Sequence, residues 1–236
     1  MEKTKYSKII SGCMTWGSWG RKFSTKQMIK MMQFCVEIGI TTFDHADIYG
    51  GYTTEANFGA AFAESKIERE RIQLITKCGI QMDSEARPNS VKYYDYSAAY
   101  IIDSVEQSLR NLKTDYIDML LLHRPSPLMH PEIIADAILK LQGEGKIKDF
   151  GVSNFTPGQI TMLEKNIPIG SNQIEFSLTA NETMVNGILD DGIANNRMMM
   201  SWSPLGSVFK EKTEQTIRIR KAWNKLTEKY AATEDQ

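Results

Sequence analysis

Seven times along this chain, a short apolar run rich in β-branched residues is followed by a longer stretch whose apolar residues recur at helical spacing. Such alternation is the pattern of βα units, and runs apolar on both faces belong to parallel sheets covered by helices. The spacing predicts strands over 7–13, 40–45, 72–78, 116–122, 149–153, 172–176 and 197–202. It predicts helices over 24–38, 54–65, 97–113, 131–144, 157–165, 181–194 and 212–233. Helix starts carry caps: Ser24 with Gln27 three residues on reads as a capping box, and Ser97 precedes the stripe Ile101, Val105, Leu109 and Leu112.

No shift in composition and no Gly/Ser linker interrupts the repeats. The expected architecture is therefore one α/β domain over residues 1–236, a closed (β/α)8 TIM barrel rather than two domains, and the length is near that of such barrels. Only seven strands are recognised, so the expectation is an incomplete barrel whose eighth strand and helix are absent from this chain, with two unpaired edges. The segment 80–96 has no period and reads as a βα loop over the active face.

Lys and Arg total 28 against 29 for Asp and Glu, which argues against bulk attraction to nucleic acid or an anionic membrane and points to a small, weakly charged ligand. Cys13, Cys35 and Cys78 are odd in number and lack metal-ligand spacing, so neither a disulfide framework nor a metal site is expected. The polar N-terminus has no apolar h-region, and no run approaches the length of a membrane span. A cytoplasmic protein is expected, of an oligomeric state the sequence does not reveal.

In (β/α) barrels the chemistry sits at the C-terminal ends of the strands. Phe43-Asp44-His45-Ala46-Asp47-Ile48-Tyr49-Gly50 follows the second strand, Thr76-Lys77-Cys78-Gly79 the third, and Leu122-His123-Arg124-Pro125 the fourth. Asp44, Tyr49, Lys77 and His123 together supply what carbonyl reduction needs, since the oxygen that gains negative charge must be protonated by a positioned acid. Tyr49 suits that role if Lys77 lowers its pKa from the ordinary value of about 10. Asp44 would hold Lys77, and His123 would orient the carbonyl. Taken singly, an Asp or Lys at a strand end is most often a barrel-mouth ion pair, and a His there a satisfied mouth residue. Their occurrence on three successive strand ends favours chemistry.

These residues resemble the aldo-keto reductase signature, in which an Asp and a Tyr five residues apart flank a small turn, with Lys77 and His123 matching the remainder of the family's tetrad. The resemblance runs from about Ile9 to the end. It implies an oxidoreductase that uses NADPH, with NADH as the alternative, to reduce a small-molecule aldehyde or ketone. Gly151-Val152-Ser153-Asn154-Phe155 resembles the motif whose Ser and Asn hold the nicotinamide carboxamide, joined by Gln173; Ser201-Trp202-Ser203-Pro204-Leu205-Gly206 resembles the motif with a stacking aromatic, Trp202, and a loop approaching the pyrophosphate. The resemblance thus implies cofactor contacts from Gly12, Cys13, Met14, Asp44, Ser153, Asn154, Gln173, Trp202, Ser203, Leu205 and Gly206. Trp16 and Trp19 are candidate pocket walls, with surface-loop aromatics as the alternative.

Family members grip the adenosine 2′-phosphate with residues at the entry to an eighth strand that is not found in this sequence, so weak or absent NADPH binding is expected if no eighth strand is supplied from elsewhere. Arg218, Arg220 and Lys221 read as a solvated helix face. Two further readings stay open at this point: a cofactor-sensing or partner-binding barrel with little turnover, and a barrel using Lys77 as a Schiff-base amine. The last is poorer, because Asp44 would keep the amine charged.

Overall fold

The computed structural model describes residues 5–233. The chain resolves into two compact units, one ending at Gly170 and the other beginning at Ser171.

In the first unit β1 (Ile10–Gly12), β2 (Thr42–Asp44) and β3 (Gln73–Cys78) are followed by a short antiparallel hairpin of β4 (Ile80–Gln81) and β5 (Tyr93–Tyr94), then by β6 (Ile117–Leu122) and β7 (Ile147–Ser153). Strands β1, β2, β3, β6 and β7 pair in that order, parallel throughout. Their register brings Asp44 beside Gly12 and Ile75, and Lys77 beside Leu121. The helices are α1 (Thr25–Glu37), the turn α2 (Tyr49–Tyr52), α3 (Thr54–Glu64), α4 (Ala98–Leu112), α5 (Pro131–Gly143) and α6 (Pro157–Glu164). In the second unit β8 (Ser171–Glu175) and β9 (Met198–Trp202) pair in parallel, with α7 (Ile188–Ala194) between them and α8 (Glu214–Tyr230) after them.

Local signals act as the sequence predicts. Ser24 and Gln27 form the reciprocal capping box, and the Ser97 side chain accepts the Tyr100 N–H. Ile101, Val105, Leu109 and Leu112 are buried on one face of α4, where Ile101, Val105 and Leu109 join Leu120, Leu122, Ile138 and Phe150 in a core between helices and sheet. Burying each such side chain contributes about 1.5–3 kcal/mol. A second core of Met28, Met32, Phe43, Phe58 and Leu74 lies under α1 and α3.

Three expectations are corrected. Segment 80–96 carries the β4–β5 hairpin rather than only loop, and Tyr96 is buried. The helix expected over 181–194 is broken: a single 3-10 turn, Glu182–Met184, precedes α7, and between them Gly187 takes φ 82, a left-handed conformation a helix interior excludes. Trp16 is neither pocket wall nor surface aromatic but a core residue, packed edge-on against Phe23 and Phe43, whereas Trp19 is exposed with its ring 6.2 Å from that of Tyr49. Among the described residues no helix is long and apolar enough to cross a membrane.

Candidate active site

Strand β2 delivers Asp44, and the chain then turns sharply to present Tyr49. Gly50 and Gly51 follow at φ 64 and φ 66, and a β-carbon on Gly50 would stand 2.5 Å from the Thr54 hydroxyl oxygen, so this turn needs glycine. The Ser18 and Thr53 hydroxyls both donate to the Gly50 carbonyl, at 3.0 and 2.8 Å.

Lys77 reaches this turn from β3. Its ammonium, 1% exposed, donates to Asp44 Oδ1 at 2.7 Å, Asp44 Oδ2 at 2.8 Å, the His45 carbonyl at 2.7 Å and the Tyr49 hydroxyl at 3.2 Å. Burial pushes the amine's pKa down, but Asp44 and Tyr49 outweigh it, and the group is held above its ordinary value. It is a fixed cation, and this geometry excludes the Schiff-base reading, which needs a free amine. Tyr49 departs from expectation. Burial raises its phenol, Lys77 lowers it, Asp44 raises it again, and the balance lies above the ordinary value: desolvation exceeds the pull of the ammonium. His123 sits with its ring 6.1 Å from that of Tyr49; burial first, then Lys77, Arg124 and Lys92, hold it well below the usual histidine value, so the imidazole is neutral.

Several residues of this region carry no role in the sequence reading. His45 is fully buried, edge-on to Phe58 at 4.4 Å, with neither ring nitrogen hydrogen-bonded among the described residues, and burial followed by Lys77 brings its pKa down to about 3. The Asp47 carboxyl accepts the Ile48 N–H at 2.7 Å and the Tyr100 hydroxyl at 3.1 Å, and burial, then Glu55, push it up to about 8. Glu55, on α3, accepts from Thr76, Ser108 and Asn111. Arg124 donates to the His123 carbonyl at 2.8 Å and to Ser153 Oγ at 3.1 Å, and its own carbonyl receives the Tyr96 hydroxyl. The available signal was the density of titratable residues inside otherwise apolar runs. Among the described residues no group of three or more His, Cys, Asp or Glu could hold a metal ion.

The residues matched to cofactor contacts lie as follows. In the first unit Gly12 ends β1, Cys13 is fully buried with its N–H on the Asp44 carbonyl, and Met14 is exposed. Ser153 ends β7, buried, and its hydroxyl oxygen also receives the Asn154 amide at 3.3 Å, with Asn154 at φ 57. In the second unit Gln173 is buried on β8 and Trp202 closes β9. A turn follows in which the Gly206 N–H donates to the Ser203 carbonyl at 2.8 Å, leaving Leu205 exposed. The first unit thus ends β7 in hydroxyl and amide side chains, and the second carries an amide on β8 and a tight turn after an aromatic. Arg220 departs from the solvated face expected of it: its guanidinium caps the Val208 carbonyl at 2.6 Å.

Residues 8–235 match the model of the aldo/keto reductase family. An uncharacterized oxidoreductase of Bacillus subtilis (strain 168), YcsN, is 46% identical over 226 residues, covering 94% of this chain and 75% of that protein. A 6-dehydroglucose reductase of Agrobacterium fabrum is 39% identical, covering 87% of this chain and 70% of its own length. A crystal structure of a thermostable aldo-keto reductase bound to the inhibitor epalrestat superposes with a TM-score of 0.79 at 21% identity, covering 95% of this chain and 77% of that one. That likeness shows the fold class, the incomplete (β/α)8 barrel that the strand–helix alternation predicts.

Proposed function

Because the chain belongs to the aldo/keto reductase family, an oxidoreductase family acting on small-molecule carbonyls, we propose that it reduces aldehydes or ketones to alcohols with Tyr49 as general acid and NAD(P)H as hydride source. The observation that carries this reading is the Lys77 ammonium donating to the Tyr49 hydroxyl at 3.2 Å while both Asp44 oxygens hold it in place.

Tyr49, with its raised pKa, keeps its proton at neutral pH and so is loaded as an acid. When that proton passes to a substrate oxygen, the phenolate left behind meets an ammonium already desolvated and aimed at it, and no reorganisation is needed. The ion pair with Asp44 fixes that aim, and the His45 carbonyl supplies a third acceptor for Lys77. Neutral His123 orients the carbonyl by a hydrogen bond rather than by charge. NAD(P)H, when bound, supplies the hydride. Ser153 and Asn154 in the first unit, together with Gly12, Cys13, Met14 and Asp44, and Gln173, Trp202, Ser203, Leu205 and Gly206 in the second, are the proposed contacts to it. The reading treats residues 1–236 as one functional domain.

Oxidation of NADPH and of NADH with a generic aromatic aldehyde, followed for the wild type and for Tyr49→Phe, tests the proposal. Turnover in the wild type that collapses in the variant supports it. Equal turnover in both removes Tyr49 as the acid, and nucleotide binding without turnover in either favours the cofactor-sensing reading.

A further inference from the structure

We propose that the substrate carries, besides its aldehyde or ketone, a carboxylate that the Lys92 ammonium receives. The inference rests on the reductase reading above and names the class of carbonyl compound it would take. Lys92 stands one residue before β5, and the hairpin register sets which way it faces. Gln81 pairs with Tyr93 and Ile80 with Tyr94, so in the same register Lys92 lies opposite Met82. Successive side chains on a strand point to opposite faces. Gln81 and Tyr93 line one face, an outer groove shared with Tyr100 and Gln107 of α4. Ile80 and Met82 take the other face, where they pack with Ala46, Ile48, Tyr49 and Tyr52. Lys92 therefore belongs to the face that holds the Tyr49 turn. Trp19, 42% exposed with its ring 6.2 Å from that of Tyr49, adds an apolar wall beside the phenol.

The charges around His123 indicate what the ammonium is for. After burial, the groups that act on its imidazole are Lys77, Arg124 and Lys92, all of them cations. The first is matched by Asp44, whose two oxygens both accept from it. Arg124 holds the His123 carbonyl and Ser153 Oγ. Lys92, exposed, makes no hydrogen bond and no ion pair among the described residues. Two carboxylates of its own segment, Asp83 and Asp95, accept instead from the Asn89 and Ser97 N–H groups, at 3.1 and 2.9 Å. A carbonyl compound oriented by His123 thus meets an uncommitted positive charge, and such a charge at a cleft draws anions toward it. One ammonium matches the single charge of a carboxylate, and the Trp19 ring suits the hydrocarbon that joins the two groups.

The test compares para-carboxybenzaldehyde with its neutral methyl ester in NADPH and NADH oxidation, and the two corresponding alcohols in calorimetric binding, for the wild type, Lys92→Arg and Lys92→Gln. The expected result is a preference for the acid of about fivefold in kcat/KM and in Kd at low ionic strength, the upper worth of an exposed ion pair. Added salt should shrink it. Lys92→Arg should keep the preference and Lys92→Gln should lose it. Equal values for acid and ester in the wild type, or a preference that Lys92→Gln leaves intact, overturn the inference, and turnover of both aldehydes in that case leaves the reductase reading standing without it. Tighter binding of the acidic alcohol that depends on Lys92, with no nucleotide oxidised, sinks the reductase reading and keeps the carboxylate site.

Discussion

Both ends of the first unit's sheet bury an aspartate against a cation, and the two pairs are built differently. At the N-terminal end Asp118, on β6, accepts Arg69 Nη2 at 2.6 Å and the Leu74 N–H at 3.0 Å, with the partly exposed Lys5 3.3 Å away. Arg69 is itself tied to the Ile72 and Tyr116 carbonyls and to Thr114. Every group there holds structure. At the C-terminal end the Lys77 ammonium is wholly buried and spends one contact on the Tyr49 phenol, a group with no structural need of it. The first pair staples strands together; the second holds a cation ready for charge that arises only during a reaction.

The contrast is sharpest in Tyr49→Phe, which removes the proton donor but leaves Lys77 its contacts to Asp44 and the His45 carbonyl. Turnover should fall by about 10²–10⁴-fold, the usual worth of general acid catalysis, with little change in the unfolding midpoint. No substitution at Asp118 should do this.

Asp44→Ala strands the buried Lys77 ammonium and should cost about 3–5 kcal/mol of stability, and Asp118→Ala, which leaves the partly buried Arg69 and the Leu74 N–H without their acceptor, should cost less. Denaturant unfolding measures the loss, and turnover per folded molecule separates the two sites. Asp118→Ala should leave it near wild type, and Asp44→Ala should abolish it. Equal damage to turnover from both would erase the distinction.

A smaller effect comes from pH, and it concerns the C-terminal end alone. His45 titrates near 3 in the folded chain against an ordinary 6.5, so between those values only the unfolded chain binds the proton, and stability falls as pH drops. Asp47 titrates near 8 against an ordinary 3.8, so between those values only the folded chain keeps the proton, and stability falls as pH rises. Each slope is about 1.4 kcal/mol per pH unit. From His45 and Asp47 the two oppose each other in mildly acid solution, and Asp47 acts alone between 6.5 and 8. Asp47→Asn should flatten stability against pH in that upper window, and His45→Leu, by removing the contribution that opposes Asp47, should tilt the mildly acid side toward lower stability as pH rises; urea midpoints across pH check both.

Much of this was legible beforehand. The seven βα repeats, the α4 stripe and the meeting of Asp44, Lys77 and Tyr49 follow from periodicity and from polar residues placed just after apolar runs. What escaped depends on three-dimensional balance. The direction of the Tyr49 shift turns on how much water the fold removes, which spacing does not encode. The β4–β5 hairpin pairs two residues on each side, too few to show a period. His45 and Asp47 stand within the signature run itself, but what surrounds them, Phe58 against His45 and Glu55 and Tyr100 about Asp47, is contributed by α3 and α4.

The most direct test of the central claim is a double-mutant cycle on kcat with Tyr49→Phe, Lys77→Met and the two combined, measured as NAD(P)H oxidation with an aromatic aldehyde. If the phenol and the ammonium act as one device, the double variant should be no slower than the slower single variant. Losses that simply multiply would contradict it, showing that Lys77 serves the fold and Tyr49 works without it.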